Sequence, residues 1–170
     1  MVNALIKFKN LLKMRLIKSK AELLTQSEGL RGIYQMIELA GRTCYKSEAN
    51  ITHDSASEFV GKMIKSGHTA MLEHGTVYLS APYDTVAVKY RCNKYSEVVD
   101  VANSYSAITT NYRVIVENGW LDDLKYLCEP TEHHRKRISM RFTTDRGVSH
   151  EIVRHRVFSF AQESTRQWRR

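Results

Sequence analysis

The most informative segment of this chain is RHRVFSFAQESTR, residues 154–166. Three arginines, a histidine, two serines, a glutamine and a glutamate fall within these thirteen residues. Arginine presents forked, permanently charged donors that suit phosphate groups, and glutamine and serine can bind the edges and hydroxyls of a nucleotide. Val157, Phe158 and Phe160 are too apolar for a uniformly solvated face, so we expect charged heads and aromatic rings to line one cleft. The residues alone therefore indicate a nucleotide-phosphate site.

Upstream of this segment the sequence predicts a strand and then a helix. Residues 138–143 alternate apolar and polar side chains, which is typical of a strand. Asp145 can cap the following helix, which carries Val148 and Ile152 on one side. No regular succession of strand, helix and strand runs through the chain, so the pattern favours the α+β class over a doubly wound sheet.

Further elements are expected from hydrophobic spacing and from capping residues. They are a first strand at 14–18, a helix over about 28–40, a helix that follows residues 52–55 and ends before Gly67, a strand at 76–79, and a short amphipathic helix over 120–128. Residues 83–117 alternate only weakly, so short strands or helices are expected there.

Three segments, in order along the chain, resemble the flavin-dependent thymidylate synthases. The family signature is R-H-R, seven residues and then S, and here it is residues 154–164, which we call the signature segment. Arg166 stands where the family has an arginine two residues after the serine. AGRTCY at 40–45 is similar to the turn after the family's first helix, and GHTAMLEH at 67–74 is similar to its GHxxxxEH segment.

The resemblance covers about residues 14–170 and implies a single α+β domain of the flavin-dependent thymidylate synthase fold. In that fold, helices pack on a largely antiparallel sheet. Residues 1–13 are expected to be an N-terminal extension, with Met14 as a plausible initiator, and residues 84–135 a longer insertion. Family members continue beyond the signature through further flavin-binding helices, so the C-terminal part of the fold is expected to be missing here.

The activity that the resemblance implies is reductive methylation of dUMP to dTMP. Methylenetetrahydrofolate would supply the carbon, FAD would relay the hydride, and NADPH would reduce the flavin. The hydride chemistry would belong to the flavin, while the protein orients substrate and cofactor. The resemblance also implies a homotetramer whose active sites are shared between subunits. A cytoplasmic location is expected from the residues themselves, because the cysteines suggest reduced thiols and Lys7, Lys9 and Lys13 interrupt the apolar N-terminal stretch.

The resemblance assigns two sets of binding residues. The residues implied for FAD are His68, Ala70, Arg154, His155, Arg156, Val157 and Gln162. The residues implied for dUMP are Glu151, Arg154, Gln162, Glu163, Ser164 and Arg166.

Three of these residues depart from the family pattern. Glu151 replaces a frequent Gln, and its carboxylate would repel uracil or phosphate unless it pairs with a nearby arginine. Gln162 stands where other members have an acidic residue. Ala70 replaces a hydroxyl-bearing residue and so removes one hydrogen bond near the flavin.

Ser164 is also a candidate nucleophile, but a binding role is favoured. A serine needs an adjacent base to become nucleophilic. His155 is nine residues away in the sequence and lies between two arginines. Nothing in this spacing brings its imidazole beside the Ser164 hydroxyl to act as the base. Cys44, Cys92 and Cys128 are expected to be reduced thiols, because their odd number and wide spacing support no disulfide framework.

Charge leaves two other functions open. The chain has a formal net charge of +8, with six basic and no acidic side chains in residues 1–20 and ten basic against four acidic in residues 131–170. Basic ends on an acidic body suggest an anionic partner. A nucleic-acid-binding module ranks last, because no known motif for it occurs. A truncated, non-catalytic nucleotide- or flavin-binding remnant ranks second to the enzyme.

Metal and membrane functions are not supported. His150 begins an apparent HExxH motif, but the position of the second ligand is Arg154, and arginine cannot bind the metal. The basic run 132–137 is interpreted as a solvated loop rather than a metal patch. No apolar run approaches the roughly 18 residues that a membrane span requires.

Overall fold

The fold is described by a computed structural model that covers residues 17–101 and 104–164. The strands are β1 Lys20–Leu24, β2 Thr76–Pro82, β3 Glu97–Val101, β4 Tyr105–Asn111 and β5 Ser139–Thr143. The α-helices are α1 Gly29–Tyr45, α2 Ser55–Lys65, α3 Ala87–Arg91, α4 Tyr112–Glu117 and α5 Arg146–Ile152. Short 3₁₀ helices span Glu48–Asn50, Thr69–His74 and Leu121–Tyr126.

The strands form two antiparallel sheets, and the α+β class is confirmed. The larger sheet has the order β2-β4-β3, with Thr76 opposite Asn111 and Val101 opposite Tyr105. The smaller is a two-stranded ribbon of β1 and β5, in which Leu23 stands opposite Met140. Leu23 is 65% exposed and Met140 is 44% exposed, so this ribbon presents apolar side chains to solvent.

The hydrophobic core lies between α1, α2 and one face of the three-stranded sheet. Ile33 and Ile37 of α1 are fully buried, as the predicted helical spacing requires. They pack in one cluster with Val60 of α2, Leu79 of β2 and Ile108 of β4. β2 contributes its alternate residues Val77, Leu79 and Ala81 to this core, whereas the central strand β4 is buried on both faces from Ser106 to Asn111.

Five sequence predictions are confirmed, some with adjusted bounds. The helix expected over about 28–40 is α1, which continues to Tyr45 and ends where Lys46 adopts a left-handed conformation (φ 50°). The second helix is α2, followed by Gly67 at φ +72°. β2 and β5 occupy the expected strand positions. Asp145 caps α5 by accepting a hydrogen bond from the Val148 N–H at 3.0 Å.

Two predictions of secondary structure differ from the structure. The first strand among the described residues is β1 at Lys20–Leu24, because β5 offers it backbone partners there. Residues 17 and 18 of the strand expected at 14–18 are not in a strand, and residues 14–16 lie outside the described residues. The segment 120–128 forms a 3₁₀ helix rather than an amphipathic α-helix. Asp123 turns inward, accepting from the Tyr90 hydroxyl at 2.7 Å and pairing with Lys89 at 2.6 Å.

The range expected as an insertion, residues 84–135, is part of the core in this structure. It contains β4, the central strand of the larger sheet, and α4, whose Val114 and Ile115 are buried. None of the helices within the two described ranges is both long enough and apolar enough to cross a bilayer.

Gly75 lies where the 3₁₀ helix Thr69–His74 meets β2, and a methyl group there would lie 2.7 Å from Ile33 Cγ2 and from Ile37 Cδ1. Because both isoleucines are buried, we expect Gly75→Ala to lower the free energy of unfolding by about 1–3 kcal/mol. Urea denaturation followed by circular dichroism measures this change.

Gly61→Ala in α2 is the matched control. A methyl group at Gly61 meets nothing within 4 Å, so alanine should raise the free energy of unfolding by about 0.5–1 kcal/mol. Equal effects of the two substitutions would contradict the close packing of α1 on Gly75.

Candidate functional site

Three segments that are distant in sequence meet on one side of the molecule. They are residues 40–45 at the end of α1, residues 67–74, and residues 159–164 after α5. The Ser164 backbone N–H donates to the Cys44 carbonyl at 3.2 Å. The Ser159 hydroxyl donates to Glu73 Oε2 at 2.6 Å. These are the three segments that carry the resemblance described above.

The end of α1 is held by a buried ion pair. Arg42 Nε donates to Glu38 Oε1 at 2.7 Å, and Glu38 is only 1% exposed. Glu38 also accepts from the Ser55 hydroxyl at 3.0 Å, which joins α1 to the start of α2. A methyl group on Gly41 would lie 2.6 Å from the Phe59 ring, so the glycine of AGRTCY permits the close approach of α1 and α2. These contacts fix the backbone of Cys44, to which the signature segment binds.

His68 and Ala70 lie at the surface beside α2. The Tyr45 hydroxyl and His68 Nδ1 are 3.2 Å apart. Both side chains line a shallow depression with Lys62 and Lys65 of α2. Ala70 is exposed at the start of the 3₁₀ helix. The surface that lines this depression is almost entirely apolar, and Lys62 at its border pairs with Glu58 at 2.6 Å. Of the residues implied for FAD, His68 contributes to this lining.

Glu73 is held in a network that the sequence analysis missed. Its Oε1 accepts from Arg113 Nη1 at 2.6 Å, and Arg113 Nε donates to Glu117 at 2.7 Å. The Thr69 hydroxyl donates to the same Glu117 oxygen at 2.6 Å. The pKa of Glu117 is lowered by the hydrogen bond from Thr69 and, to a smaller extent, by the one from Arg113. The pKa of Arg113 is raised by its hydrogen bonds to Glu117 and Glu73. The four-residue spacing of Arg113 and Glu117 is the signal that indicates their pairing.

His74 lies beneath the signature segment and is largely buried. Its Nε2 has no hydrogen-bond partner among the described residues. Burial lowers the pKa of His74, and the neighbouring Arg137 lowers it further; the Glu73 carboxylate and a hydrogen bond with the Phe160 backbone act in the opposite direction. The lowered pKa keeps the imidazole mostly neutral near pH 7, and its Nε2 is buried away from solvent.

The charged residues of the signature segment form ion pairs at the surface. Arg154 pairs with Glu151 at 3.1 Å, so the carboxylate that replaces the family's Gln is balanced by an arginine. Glu163 pairs with Lys46 at 2.5 Å. Gln162 Nε2 donates to the Ser149 hydroxyl at 3.0 Å, which ties the segment back to α5.

The expected cleft of charged and aromatic side chains is not formed within the described part of the chain. Val157 is 87% exposed and Phe158 is 64% exposed, and His155 and Arg156 are exposed beside them. The reason is that α5 ends at Ile152 and the chain then turns along the surface with no described element packed over it. Arg166 lies outside the described residues.

The other candidate clusters have structural roles. The basic run 132–137 is a loop whose residues are exposed as expected, with the exception of His134. His134 is buried: its Nε2 lies 3.1 Å from the Leu79 carbonyl, and its Nδ1 accepts from the Thr131 N–H at 3.1 Å. Among residues 17–101 and 104–164, no group of three or more His, Cys, Asp or Glu side chains is arranged to hold a metal ion.

The cysteines are free thiols. Burial raises the pKa of the Cys44 thiol, and burial together with the Glu129 carboxylate raises that of Cys128. A thiol with a raised pKa is a poor nucleophile at neutral pH. Cys44 therefore contributes its backbone carbonyl and its packing to the site.

Comparison of this chain with protein-family models, with curated proteins and with solved structures found no match.

The burial of His74 predicts a specific pH dependence of stability. Because the folded state lowers the pKa of His74, stability is fully present above the unfolded value of about 6.5 and is lost as pH falls below it. Replacing His74 by Gln should flatten the decline in unfolding free energy below pH 6.5, by at most about 1.4 kcal/mol per pH unit.

The measurement is urea denaturation of the wild type and of His74→Gln at a series of pH values from 7.5 to about 5. His53→Gln, which replaces an exposed histidine, is the control for substitution of a histidine at the surface. Parallel slopes for wild type and His74→Gln would contradict the burial of a neutral imidazole.

Proposed function

We propose that this chain carries the FAD- and dUMP-binding core of a flavin-dependent thymidylate synthase, with the corresponding fold. The reaction would be reductive methylation of dUMP to dTMP, with methylenetetrahydrofolate as the carbon donor and NADPH as the reductant. The observation that carries this proposal is the meeting of the three resembling segments, through Ser164 with Cys44 and through Ser159 with Glu73. A hydrogen bond thus joins Cys44 and Ser164, which are 120 positions apart in sequence.

The donor set of this site fits an anionic dinucleotide cofactor. Arg154 and Arg156 stand exposed on one side, and Lys62 and Lys65 border the depression beside His68. Such cations suit a pyrophosphate. When bound there, FAD would supply the hydride relay, and the residues of this chain would bind and orient it.

The run Gln162–Ser164 is suited to holding the nucleotide substrate. The backbone of Ser164 is tied to Cys44, so an amide, a carboxylate and a hydroxyl are presented from a fixed stretch of chain. Arg154 would exchange its surface contact with Glu151 for the dUMP phosphate. An exposed ion pair contributes only about 0–1 kcal/mol, so the loss of the contact with Glu151 would oppose phosphate binding only weakly.

Assembly into a cytoplasmic homotetramer belongs to the same proposal. Its support is the apolar surface that the described part of one chain leaves uncovered. Phe142 on the ribbon is 52% exposed, and Val157 and Phe158 of the signature segment are more exposed still. A second subunit that covered the signature segment would exclude water from the arginines and strengthen their contacts with phosphate.

Binding of flavin or nucleotide without turnover is the second candidate function. The exposure of Arg154 and Arg156 favours it, because cations that remain in water bind phosphate weakly and stabilise a transition state little. Turnover of dUMP distinguishes the two functions, and flavin affinity alone does not.

Arg154 provides the first test of the proposed site. Because its guanidinium is assigned to both ligands, Arg154→Ala should weaken FAD and dUMP binding together, each by about tenfold or more. Absorbance titration with FAD, followed by addition of dUMP, measures both affinities. Arg135→Ala is the control, since Arg135 pairs with Glu97 on the sheet and outside the proposed site. Unchanged affinity for both ligands would show that the assignment of Arg154 is wrong.

Ser164 tests the binding role against the nucleophilic one. If the hydroxyl only binds dUMP, Ser164→Ala should raise KM by about five- to twentyfold, the value of one lost hydrogen bond, and should keep measurable turnover. Steady-state kinetics with NADPH measures the effect, and Ser80→Ala at an exposed position of β2 is the control. Complete loss of turnover with unimpaired dUMP binding would identify a nucleophile instead.

A further inference from the structure

Glu73 joins the signature segment to a helix that the resemblance does not include. One oxygen of its carboxylate, Oε1, accepts from Arg113 at 2.6 Å, and the other, Oε2, accepts from Ser159 at 2.6 Å. Ser159 is 86 residues from Glu73 in sequence, and Arg113 is 40 residues away. Because both oxygens are engaged, the orientation of the carboxylate toward Ser159 depends on where Arg113 holds it.

Arg113 is itself fixed by a closed ring of hydrogen bonds. Its Nε donates to Glu117, and Glu117 accepts from the Thr69 hydroxyl. Thr69 is the first residue and Glu73 the last but one of the same 3₁₀ helix. The hydrogen bonds therefore link two positions of this helix through Arg113 and Glu117. Arginine can serve two carboxylates from two edges of one rigid plane, whereas lysine offers a single point charge.

The backbone of Arg113 is anchored in the core. Its neighbours Tyr112 and Val114 are buried, and the Tyr112 N–H donates to the Gly75 carbonyl at 2.8 Å. The Asn111 side chain caps α4 by accepting from the Val114 N–H at 3.1 Å. A rigid, core-anchored helix therefore presents the guanidinium to Glu73.

We propose that Arg113 is a positioning residue, which acts through Glu73 and Ser159 to set the path of residues 154–160. The contacts at Cys44 and Lys46 hold the far end of the signature segment, at Glu163 and Ser164. The bond from Ser159 holds the end that carries the arginines. The functional part of this inference rests on the proposed function, because residues 154–157 are the ones assigned to FAD.

Hydrogen–deuterium exchange of the full-length chain tests the positioning without any ligand. Arg113→Gln should speed exchange of the amides in 154–160 by about three- to tenfold, which is the effect expected from the loss of one partly exposed, charge-assisted hydrogen bond. Exchange of the amides in β2 and β4 should stay unchanged. Arg135→Gln is the matched control, because it removes an arginine–glutamate pair of 2.8 Å elsewhere on the body. Faster exchange throughout the chain, or unchanged exchange in 154–160, would overturn the proposal.

Two further variants separate positioning from a general effect on stability. Ser159→Ala should reproduce the faster exchange of 154–160, and adding Arg113→Gln to it should cause no further increase, because both break the same connection. Arg113→Lys should recover only part of the protection, since an ammonium group cannot serve Glu73 and Glu117 in the same geometry. Additive effects in the double variant, or full recovery by lysine, would contradict the assigned role. Should Arg113→Gln fail to fold, Ser159→Ala and Arg113→Lys decide the matter, because neither contains that substitution.

Titration with FAD then separates this inference from the proposed function. Arg113→Gln should weaken FAD binding by the same three- to tenfold factor, about the factor by which exchange increases. If exchange responds as expected but the wild type binds no FAD, the positioning role stands and the proposed function fails. If the wild type binds FAD and Arg113→Gln binds it equally well with unchanged exchange, the proposed function stands and the positioning role fails.

Discussion

Leu72 has no exposed surface, and its burial fixes the 3₁₀ helix Thr69–His74 between α1 and α4. From this turn Gly75 leads directly into β2, and its carbonyl binds the Tyr112 N–H at the start of α4. The same turn presents Glu73 to the signature segment. Burial of one leucine contributes about 1.5–3 kcal/mol, against about 0–1 kcal/mol for an exposed ion pair. The alignment of sheet, helices and candidate site therefore depends on this apolar contact before any polar one.

The elements that the sequence predicts well are those whose cause is local. α1 and α2 follow from apolar residues at helical spacing, and the cap of α5 follows from Asp145 alone. The strand β1 could not be placed correctly, because a strand in a two-stranded ribbon forms where its partner lies, and β5 is more than a hundred residues away in sequence. The 3₁₀ helix Leu121–Tyr126 depends on Asp123 reaching Tyr90 and Lys89, which no local pattern reveals.

In the candidate site, too, local features could be predicted from the sequence and contacts between distant segments could not. The residues within each motif could be named from the sequence, because their spacing is fixed within one segment. The contacts that join the motifs could not, since Ser159 with Glu73 and Lys46 with Glu163 are pairings across the fold. Arg113 was missed for a related reason: its four-residue spacing from Glu117 indicates an ordinary surface pair, and its second bond to Glu73 is visible only in three dimensions.

The signature segment combines a fixed backbone with exposed charges. Its anchors are at Ser159 and Ser164, where hydrogen bonds reach elements that are themselves packed on the core. Its cations, Arg154 and Arg156, lie before the first anchor and remain in water. A charge held on an anchored chain can exchange one carboxylate for a phosphate with little rearrangement, whereas a buried pair would have to be broken at a cost of several kcal/mol (about 3–5). In the proposed site, the exposure of these arginines would keep such an exchange of partners easy, and the anchors at Ser159 and Ser164 would determine where it takes place.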